Sequence, residues 1–314
     1  MRNITLGQNG PAVTPLCIGT WAWGDKLFWN YGSNYGATEV EEAFKASLDA
    51  GVNFFDTAEV YGNGLSEELL GQFMKKTSQP VQIATKYGPM PLRITAKSVA
   101  NALTASLKRL QVEQIALYQV HWPYTFLMNQ ETLMNALAEE VKQGRIQAVG
   151  VSNYTAEQMT LAHKILSRQG VPLATNQVRY SLLSRQVEKK KIVDSARELG
   201  VTILAYSPLA QGLLTGKYSA QEQPVGARKF DSRFSKTGLE KIALVMSTLR
   251  KIGKKYDRTL AQVALNWLIA QDGVIPIPGA KTPRQARENA GALGWSLSVD
   301  EVNQLELMTR PWLE

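Results

Sequence analysis

The sequence predicts an α/β protein folded as a (β/α)8 barrel, the TIM barrel fold, and three observations favour this fold over an open, doubly wound sheet. Eight short apolar segments alternate with amphipathic helical segments along the 314 residues, which indicates parallel strand pairing. No G-x-G-x-x-G motif opens a helix after the first strand, as the usual dinucleotide-binding sheets require. Polar residues stand at the carboxyl ends of the strands, where barrels carry their chemistry.

The chain opens with a segment typical of a β-hairpin, residues 4–16, in which Asn9-Gly10 would supply the turn. Because this hairpin precedes the first barrel strand, we expect it to cap the bottom of the barrel. The eight predicted strands are short, apolar and rich in β-formers. They lie at residues 15–19, 53–57, 81–86, 115–121, 146–152, 172–178, 201–207 and 273–279.

Segments with the apolar spacing of a helix lie between the strands. The first, residues 38–51, ends in a glycine of the C-cap type. Its apolar face comprises Val40, Ala43, Phe44, Ser47 and Leu48. Two later segments begin at Thr95 and Thr155, which are typical N-cap residues. Residues 184–200 and 259–271 are each predicted to form one helix.

A long polar insertion follows the seventh strand, at roughly residues 216–240. A loop of this length inside a compact domain is usually functional or mobile. Apart from it, the sequence has no composition break that would mark a linker. We therefore predict that residues 1–314 form a single barrel domain, a size within the usual range for this fold.

Composition narrows the functional classes. A single cysteine, Cys17, fits a reducing compartment. The first ten residues do not resemble a secretory signal and no long apolar run predicts a membrane span, so a cytoplasmic location is expected. The net charge is +8, from 35 Lys+Arg against 27 Asp+Glu. Nucleic-acid binding is disfavoured, because the densest basic run, residues 189–191, has no interleaved aromatics.

Four ionisable residues end or follow predicted strands. Asp56 closes the second strand and Tyr61 lies in the loop after it, while Lys86 and His121 close the next two strands. Consecutive strand ends are neighbours in a barrel, so all four side chains are expected to converge on one pocket. Each alone has a structural explanation, such as a helix N-cap for Asp56 or an ion pair for Lys86. Their coincidence favours a catalytic site.

The chemistry of these four side chains is coherent. An ammonium beside a phenol favours the phenolate, so Lys86 is expected to lower the pKa of Tyr61. Asp56 would keep Lys86 charged, and a neutral His121 would donate a hydrogen bond to a carbonyl oxygen. The set predicts hydride transfer to a carbonyl with Tyr61 as general acid. A metal site is disfavoured, because the chain has only 2 His and neither an HExxH nor a CxxC motif.

Seven segments, in the order expected for a barrel, resemble those of the aldo-keto reductase superfamily, and together they cover nearly the whole chain. Residues 51–62 are similar to the signature segment of the family, and the family's catalytic lysine and histidine match Lys86 and His121. The other similar segments are 144–154, 176–185, 205–218 and 275–292. The resemblance implies an oxidoreductase that reduces aldehydes or ketones to alcohols with NADPH, with Asp56, Tyr61, Lys86 and His121 as its catalytic residues.

The resemblance also implies that NADPH binds in an extended pose, without a Rossmann domain and with a C-terminal cofactor-binding loop. The residues that would hold the nicotinamide carboxamide or stack on its ring are Ser152, Asn153, Gln177 and Tyr206. Those that would line the pyrophosphate path are Ser207, Pro208, Leu209, Gln211 and Gly212. Those that would hold the adenosine end are Gly279, Lys281, Gln285, Glu288 and Asn289.

One departure from the family pattern concerns the 2′-phosphate of NADP. Many members place a Lys-Ser pair before the last helix of the motif, whereas this chain has Gly279-Ala280 followed by Lys281. Lys281, with Arg284 or Arg287, would still neutralise a 2′-phosphate, and a helix N-terminus favours a phosphate. NADP is therefore predicted over NAD.

Aromatic residues near the predicted site suggest the class of substrate. Trp21 and Trp23 lie in the loop after the first strand and Trp122 follows His121, so these three are expected to wall the pocket. An aromatic wall suits apolar or aromatic aldehydes better than large charged sugars. Trp29 and Tyr31 are interpreted as packing residues.

Two other functions stay open on the sequence. Some members of the superfamily are regulatory β-subunits of potassium channels that bind the cofactor, and the fold alone does not separate them from reductases. A barrel isomerase or aldolase with a Schiff base at Lys86 is disfavoured, because that lysine would have to be neutral and Asp56 would keep it charged.

Overall fold

The computed structural model describes residues 3–124, 126–218 and 231–313. Eight parallel strands form one sheet in chain order, and the first and last meet through a parallel bridge between Gly19 and Gly279. The Gly19 N–H donates to the Pro278 carbonyl at 3.0 Å, so the sheet closes and the predicted (β/α)8 barrel is confirmed. Its strands are Cys17–Gly19 (β3), Phe54–Asp56 (β4), Gln82–Tyr87 (β5), Ile115–Val120 (β6), Ile146–Ser152 (β7), Leu173–Arg179 (β8), Thr202–Tyr206 (β9) and Val274–Ile277 (β10).

The predicted N-terminal hairpin is present, but its turn differs from the prediction. Its strands Ile4–Thr5 (β1) and Ala12–Val13 (β2) pair antiparallel, and residues 6–11 connect them. The predicted two-residue turn at Asn9-Gly10 was therefore wrong. Leu6 explains the longer connection, because its side chain is fully buried among the residues that fill the barrel interior. The hairpin thus closes one end of the barrel with an apolar plug.

Helices cover the outside of the sheet. They are Ala37–Asp49 (α1), Leu65–Met74 (α2), Ala96–Leu110 (α3), Gln130–Lys142 (α4), Ala156–Ser167 (α5), Gln186–Lys189 (α6), Ile192–Leu199 (α7), Lys236–Tyr256 (α8), Leu260–Ile269 (α9), Pro283–Ala290 (α10) and Val299–Met308 (α11). The apolar face predicted for α1 is buried. In the parts of the chain that the structure describes, no helix has both the length and the apolar composition of a membrane span.

The predicted caps and boundaries are confirmed at some helices and corrected at others. Thr155 Oγ1 accepts from the backbone N–H of Gln158 at 3.2 Å, whereas Thr95 stands at its N-cap without such a bond. Residues 184–200 do not form one helix. Lys191 has a φ of 54°, a left-handed conformation that ends α6 and starts α7.

The predicted insertion at residues 216–240 lies largely outside the described residues, which omit 219–230. Its last part is not a loop. Ser232–Phe234 form a 3-10 turn, and α8 begins at Lys236. Ser235 explains this start, because its hydroxyl caps the helix by accepting from the Gly238 N–H at 3.1 Å.

Candidate active site

Lys86 is the centre of the site. Its side chain is fully buried in β5, and its ammonium donates to Asp56 Oδ1, to the Thr57 carbonyl at 2.8 Å and to the Tyr61 hydroxyl oxygen at 3.2 Å. A lysine ammonium has three N–H donors, so all of them have partners here. A buried charge is tolerated only when it is paired and hydrogen-bonded, and this one is fixed in position by both.

Asp56 is held from its other side by two amides that come from across the barrel. Its Oδ2 accepts from Gln119 Nε2 at 3.0 Å and from Gln177 Nε2 at 2.8 Å. Gln119 was not among the predicted site residues, although the sequence holds a signal for it: Gln119 precedes His121 by two residues, and alternate residues of a strand share one face. Gln177, predicted to hold the carboxamide, therefore also supports the carboxylate.

The pKa values of Lys86 and Tyr61 are both raised, although burial acts in opposite directions on the two groups. Burial alone lowers the pKa of Lys86, but the neighbouring Asp56 and Tyr61 outweigh it and raise the pKa. Loss of water around the Tyr61 hydroxyl raises its pKa more than Lys86 lowers it. The expected lowering of the Tyr61 pKa was thus wrong in its net direction, because desolvation penalises the phenolate. At neutral pH the hydroxyl keeps its proton and is able to donate it.

His121 lies against the ring of Tyr61. The centroids of the His121 and Tyr61 rings are 5.8 Å apart, edge to face. Burial, with a contribution from Lys86, lowers the pKa of His121 to about 2. The imidazole is therefore neutral, as the sequence predicted, and its buried Nδ1 has no hydrogen-bond partner among the described residues. All four predicted catalytic residues meet at the carboxyl ends of the strands.

The residues predicted to hold the nicotinamide form one network beside this cluster. Asn153 Oδ1 accepts from the Tyr206 hydroxyl at 3.0 Å, and its Nδ2 donates to Ser152 Oγ at 3.1 Å and to the His121 carbonyl at 3.3 Å. Ser152 Oγ donates to the Gln177 carbonyl at 2.9 Å. The structure thus brings these side chains from β7, β8 and β9 together at the mouth of the barrel.

The segment after β9, predicted to line a pyrophosphate, has an unusual backbone. It contains Ser207, Pro208, Leu209, Gln211 and Gly212, and left-handed φ angles recur at Ser207 (52°), Ala210 (48°), Gln211 (57°) and Gly212 (99°). Non-glycine residues rarely adopt this conformation, and strain of this kind clusters at functional sites. A turn in which a right-handed residue precedes a left-handed one, as Leu209 precedes Ala210, points successive backbone N–H groups toward a common centre that suits an anion.

The residues predicted to hold the adenosine end surround the start of α10. Asn289 Nδ2 donates to the Gly279 carbonyl at 3.2 Å, and Gln285 Oε1 accepts from the Lys281 N–H at 2.8 Å. The Glu288 carbonyl accepts from a glutamine of α9 at 3.0 Å. The first two bonds fix the backbone that leads into the amino end of α10, where an anion is favoured, whereas the Glu288 bond lies in the last turn of the helix.

The three tryptophans predicted to wall the pocket have different positions. Trp21 is 40% exposed and its ring lies 6.3 Å from that of Tyr61, while Trp122 stacks on His121 at 3.7 Å. Trp23, in contrast, is fully buried, and its indole donates to the Ala280 carbonyl at 2.8 Å. The expectation for Trp23 was wrong, because its ring belongs to the core and not to a pocket wall.

Other aromatic side chains extend the wall beyond the predicted residues. Phe28 stacks on Trp21 at 5.0 Å. Tyr124 stacks on Trp122 at 5.9 Å, and Phe126 follows it at 5.6 Å with 80% of its surface exposed. We call Trp21, Phe28, Trp122, Tyr124 and Phe126 the aromatic wall. Large exposed apolar side chains in one place mark a binding surface, here on both sides of Tyr61 and His121.

A family model for the aldo/keto reductase family matches residues 15–309. The chain belongs to the aldo/keto reductase family. It is 42% identical over 310 residues to a chloroplastic pyridoxal reductase of Arabidopsis thaliana, covering 95% of this chain and 84% of that protein. It is 31% identical over 323 residues to an NADH-specific methylglyoxal reductase of Escherichia coli, covering 95% of each. A crystal structure of a Klebsiella pneumoniae aldo/keto reductase with NADP and acetate matches with a TM-score of 0.74 and 27% identity, covering 98% of this chain and 96% of that chain.

Proposed function

We propose that this protein reduces small aldehydes and ketones to alcohols with NADPH, and that Tyr61 donates the proton. One observation carries the proposal: a buried lysine that joins a carboxylate to a tyrosine hydroxyl at the mouth of a barrel, beside a neutral histidine. Membership of the aldo/keto reductase family supports the same reaction.

A nicotinamide cofactor, when bound, would supply the hydride for the carbonyl carbon. The protein's own side chains would orient and protonate the carbonyl oxygen. His121, neutral at working pH, donates a hydrogen bond that orients this oxygen, and the Tyr61 hydroxyl transfers its proton to it. Lys86, 3.2 Å away, stabilises the phenolate that forms, and Asp56 holds the ammonium in place. Charge that develops during the reaction thus meets donors that are already oriented.

The residues present fit a nicotinamide dinucleotide. Amide and hydroxyl groups of Ser152, Asn153 and Tyr206 lie together beside the proton donor, a strained backbone suited to an anion follows β9, and a cation precedes α10. Gly212 has a φ of 99°, and a Cβ at this position would lie 3.3 Å from the Tyr218 ring. Glycine is therefore the residue that fits there without strain.

NADPH is proposed over NADH because Lys281 stands at the amino end of α10, with Arg284 and Arg287 exposed on the same helix. A phosphate on the adenosine ribose would gain from these charges, and NADH lacks it. The Klebsiella protein was crystallised with NADP, which supports this choice, whereas the E. coli relative is named as NADH-specific. The preference therefore has to be measured on this protein.

Aromatic aldehydes are the proposed substrate class. The aromatic wall flanks the proton donor on both sides, and a flat ring would stack between its members with the carbonyl toward Tyr61. The Arabidopsis relative is named a pyridoxal reductase, so pyridoxal is the first aldehyde to test. The cytoplasmic location and the single domain over residues 1–314 stay predictions from the sequence.

Tryptophan fluorescence titrated with NADPH and NADH in EDTA tests the cofactor, and steady-state oxidation of both with a panel of carbonyl compounds tests the reaction. We expect quenching at micromolar NADPH without added metal, and faster turnover with pyridoxal or benzaldehyde than with aldose sugars. No quenching at saturating NADPH would refute the proposed cofactor. Binding without turnover on any carbonyl would instead favour a regulatory subunit.

A further inference from the structure

Two aromatic rings from the loop between β3 and α1 lie against the ammonium of Lys281. Its Nζ is 4.6 Å from the centroid of the Tyr35 ring and 5.2 Å from that of Trp29. A cation within about 6 Å of a ring face is attracted to it. Trp29, interpreted from the sequence as a packing residue, packs against a residue with a proposed cofactor role. We call Trp29 and Tyr35 the lysine cage.

The cage is anchored to the protein independently of Lys281. The Tyr35 hydroxyl donates to the Ala22 carbonyl at 2.6 Å. The Trp29 N–H donates to Asp25 Oδ1 at 3.2 Å, inside a turn that the same oxygen closes through the Phe28 N–H at 2.7 Å. The Tyr35 ring is thus tethered at its hydroxyl, and the turn around Asp25 fixes the backbone that carries Trp29, both without the lysine. The cage therefore positions the lysine, and the lysine does not position the cage.

The backbone before Lys281 is tied to the same loop. The Trp23 indole donates to the carbonyl of Ala280, the residue next to Lys281. The loop thus contacts this lysine at two points, through its backbone neighbour and through its ammonium. A lysine side chain loses about 1.5–2 kcal/mol of rotamer freedom when it is immobilised. A lysine already confined by two rings has less freedom to lose when an anion binds.

The cage is continuous with the aromatic wall. Trp29 meets Trp21 edge to face at 5.6 Å and Phe28 at 5.1 Å, and Trp21 lies 6.3 Å from Tyr61. A single cluster of rings therefore extends from the lysine of the proposed phosphate site to the proposed proton donor. Displacement of Trp29 would disturb both ends of it.

We propose that Trp29 and Tyr35 are positioning residues that preorganise Lys281 for the ribose 2′-phosphate, and that Trp29 also supports the Trp21 side of the pocket. This inference rests on the proposed role of Lys281 in cofactor binding. The cage raises affinity for the 2′-phosphorylated dinucleotide without touching it. It also makes one loop responsible for both cofactor preference and substrate fit.

Calorimetric binding of 2′,5′-ADP and 5′-AMP to the apoprotein tests the cage without turnover, since the two probes differ only by the 2′-phosphate. In Trp29→Leu we expect 2′,5′-ADP to bind about 2- to 5-fold more weakly, the range of an exposed cation–π contact, and 5′-AMP affinity to stay within error of wild type. Trp29→Phe keeps a ring and should restore most of the loss. Leu27→Ala changes an apolar side chain of the same loop that is 97% exposed, so it is the matched control and should leave the affinity for both probes unchanged.

The variant Lys281→Ala separates the inference from its premise. We expect it to weaken 2′,5′-ADP selectively, and Trp29→Leu to add nothing in that background, because the cage acts only through the lysine. Equal losses for both probes in Trp29→Leu, or tighter 2′,5′-ADP binding, would overturn the cage while leaving NADPH preference intact. If Lys281→Ala leaves the ratio of the two affinities unchanged, the premise and the inference both fall.

The link to the substrate pocket has its own measurement. At saturating NADPH, Trp29→Leu should raise the KM for an aromatic aldehyde about 2- to 10-fold through displacement of Trp21, in line with the energy of one aromatic contact, with little change in kcat. A KM within error of wild type would show that Trp29 does not support the pocket.

Discussion

The charged cluster inside the barrel and the aromatic wall above it are built on opposite principles. In the cluster, Asp56 and Lys86 are buried on strands. Gln119 and Gln177 donate hydrogen bonds to the carboxylate oxygen of Asp56 that does not face Lys86. The wall stands on loops after β3 and β6, and its members are partly or largely exposed. The cluster is a single hydrogen-bonded unit, whereas the wall is a series of separate ring contacts.

This difference predicts how each region responds to change. Charges in a buried network strongly affect one another, and removing one member leaves another unpaired at high cost. Ring contacts on an exposed loop contribute only about 0.5–1.5 kcal/mol each. A change in the cluster should therefore abolish the reaction, while a change in the wall should shift substrate preference and leave the chemistry in place.

The largest expected effect is that of Tyr61→Phe. The change removes one oxygen and keeps the ring, so NADPH affinity should hold while single-turnover hydride transfer falls by about 10²–10⁴-fold. Tyr87→Phe is the matched control, because the Tyr87 hydroxyl is also buried but has no hydrogen-bond partner among the described residues. A hydride-transfer rate in Tyr61→Phe within about threefold of wild type, far below the general-acid range, would mean that Tyr61 is not the acid.

Lys86→Met tests whether the cluster acts as a unit. It should give a similar loss of turnover, and the double variant with Tyr61→Phe should be little worse than either single one. The variant also leaves Asp56 buried without its cation, so the free energy of unfolding in urea should fall by about 3–5 kcal/mol. Additive losses of turnover would contradict a single catalytic unit.

Trp21 and Trp23 lie in the same loop, but Trp21 belongs to the aromatic wall and Trp23 to the core. Trp23→Ala should cost about 3–5 kcal/mol of unfolding free energy, as for other buried large aromatics. Trp21→Ala should change stability little but raise the KM for aromatic aldehydes about 2- to 12-fold, the equivalent of one aromatic contact. Urea unfolding measures the stability of both variants, and steady-state kinetics measure their KM values. A KM effect in Trp21→Ala no larger for aromatic than for aliphatic aldehydes would remove it from the wall.

The last expected effect concerns the dependence of stability on pH. His121 has a pKa of about 2 in the folded protein and about 6.5 in an unfolded chain, so between these values only the unfolded state binds the proton. The stability from its neutral form is complete above the unfolded value and falls as pH drops below it. From pH 7 to pH 5 the free energy of unfolding should decrease by about 2 kcal/mol from this group.

His121→Asn should remove this part of the pH dependence, measured as urea midpoints at several pH values. The only other histidine, His163, provides the control, because His163→Asn leaves the contribution of His121 in place. An unchanged slope in His121→Asn would mean that the ring is not held neutral by burial.

Much of this arrangement was predictable from local patterns. All eight strands, with Asp56, Lys86 and His121 at or next to their ends, follow from apolar segments that stop at a polar side chain. Helix α1 follows from its apolar spacing. The break at Lys191 did not, because a left-handed lysine leaves no mark in the periodicity of the flanking segments. Gln119 could have been found from strand alternation, but its partner Asp56 is 63 residues away.

The sequence by itself determined the barrel and predicted which four ionisable residues meet at its mouth, because these depend on periodicity, strand order and residue chemistry. Only the tertiary structure decided that burial would outweigh Lys86 and raise the pKa of Tyr61. It likewise decided that Trp21 faces the site while Trp23 packs in the core, and that Trp29 lies against Lys281. Desolvation and contacts between distant segments depend on which atoms the fold brings together, and no local pattern records them.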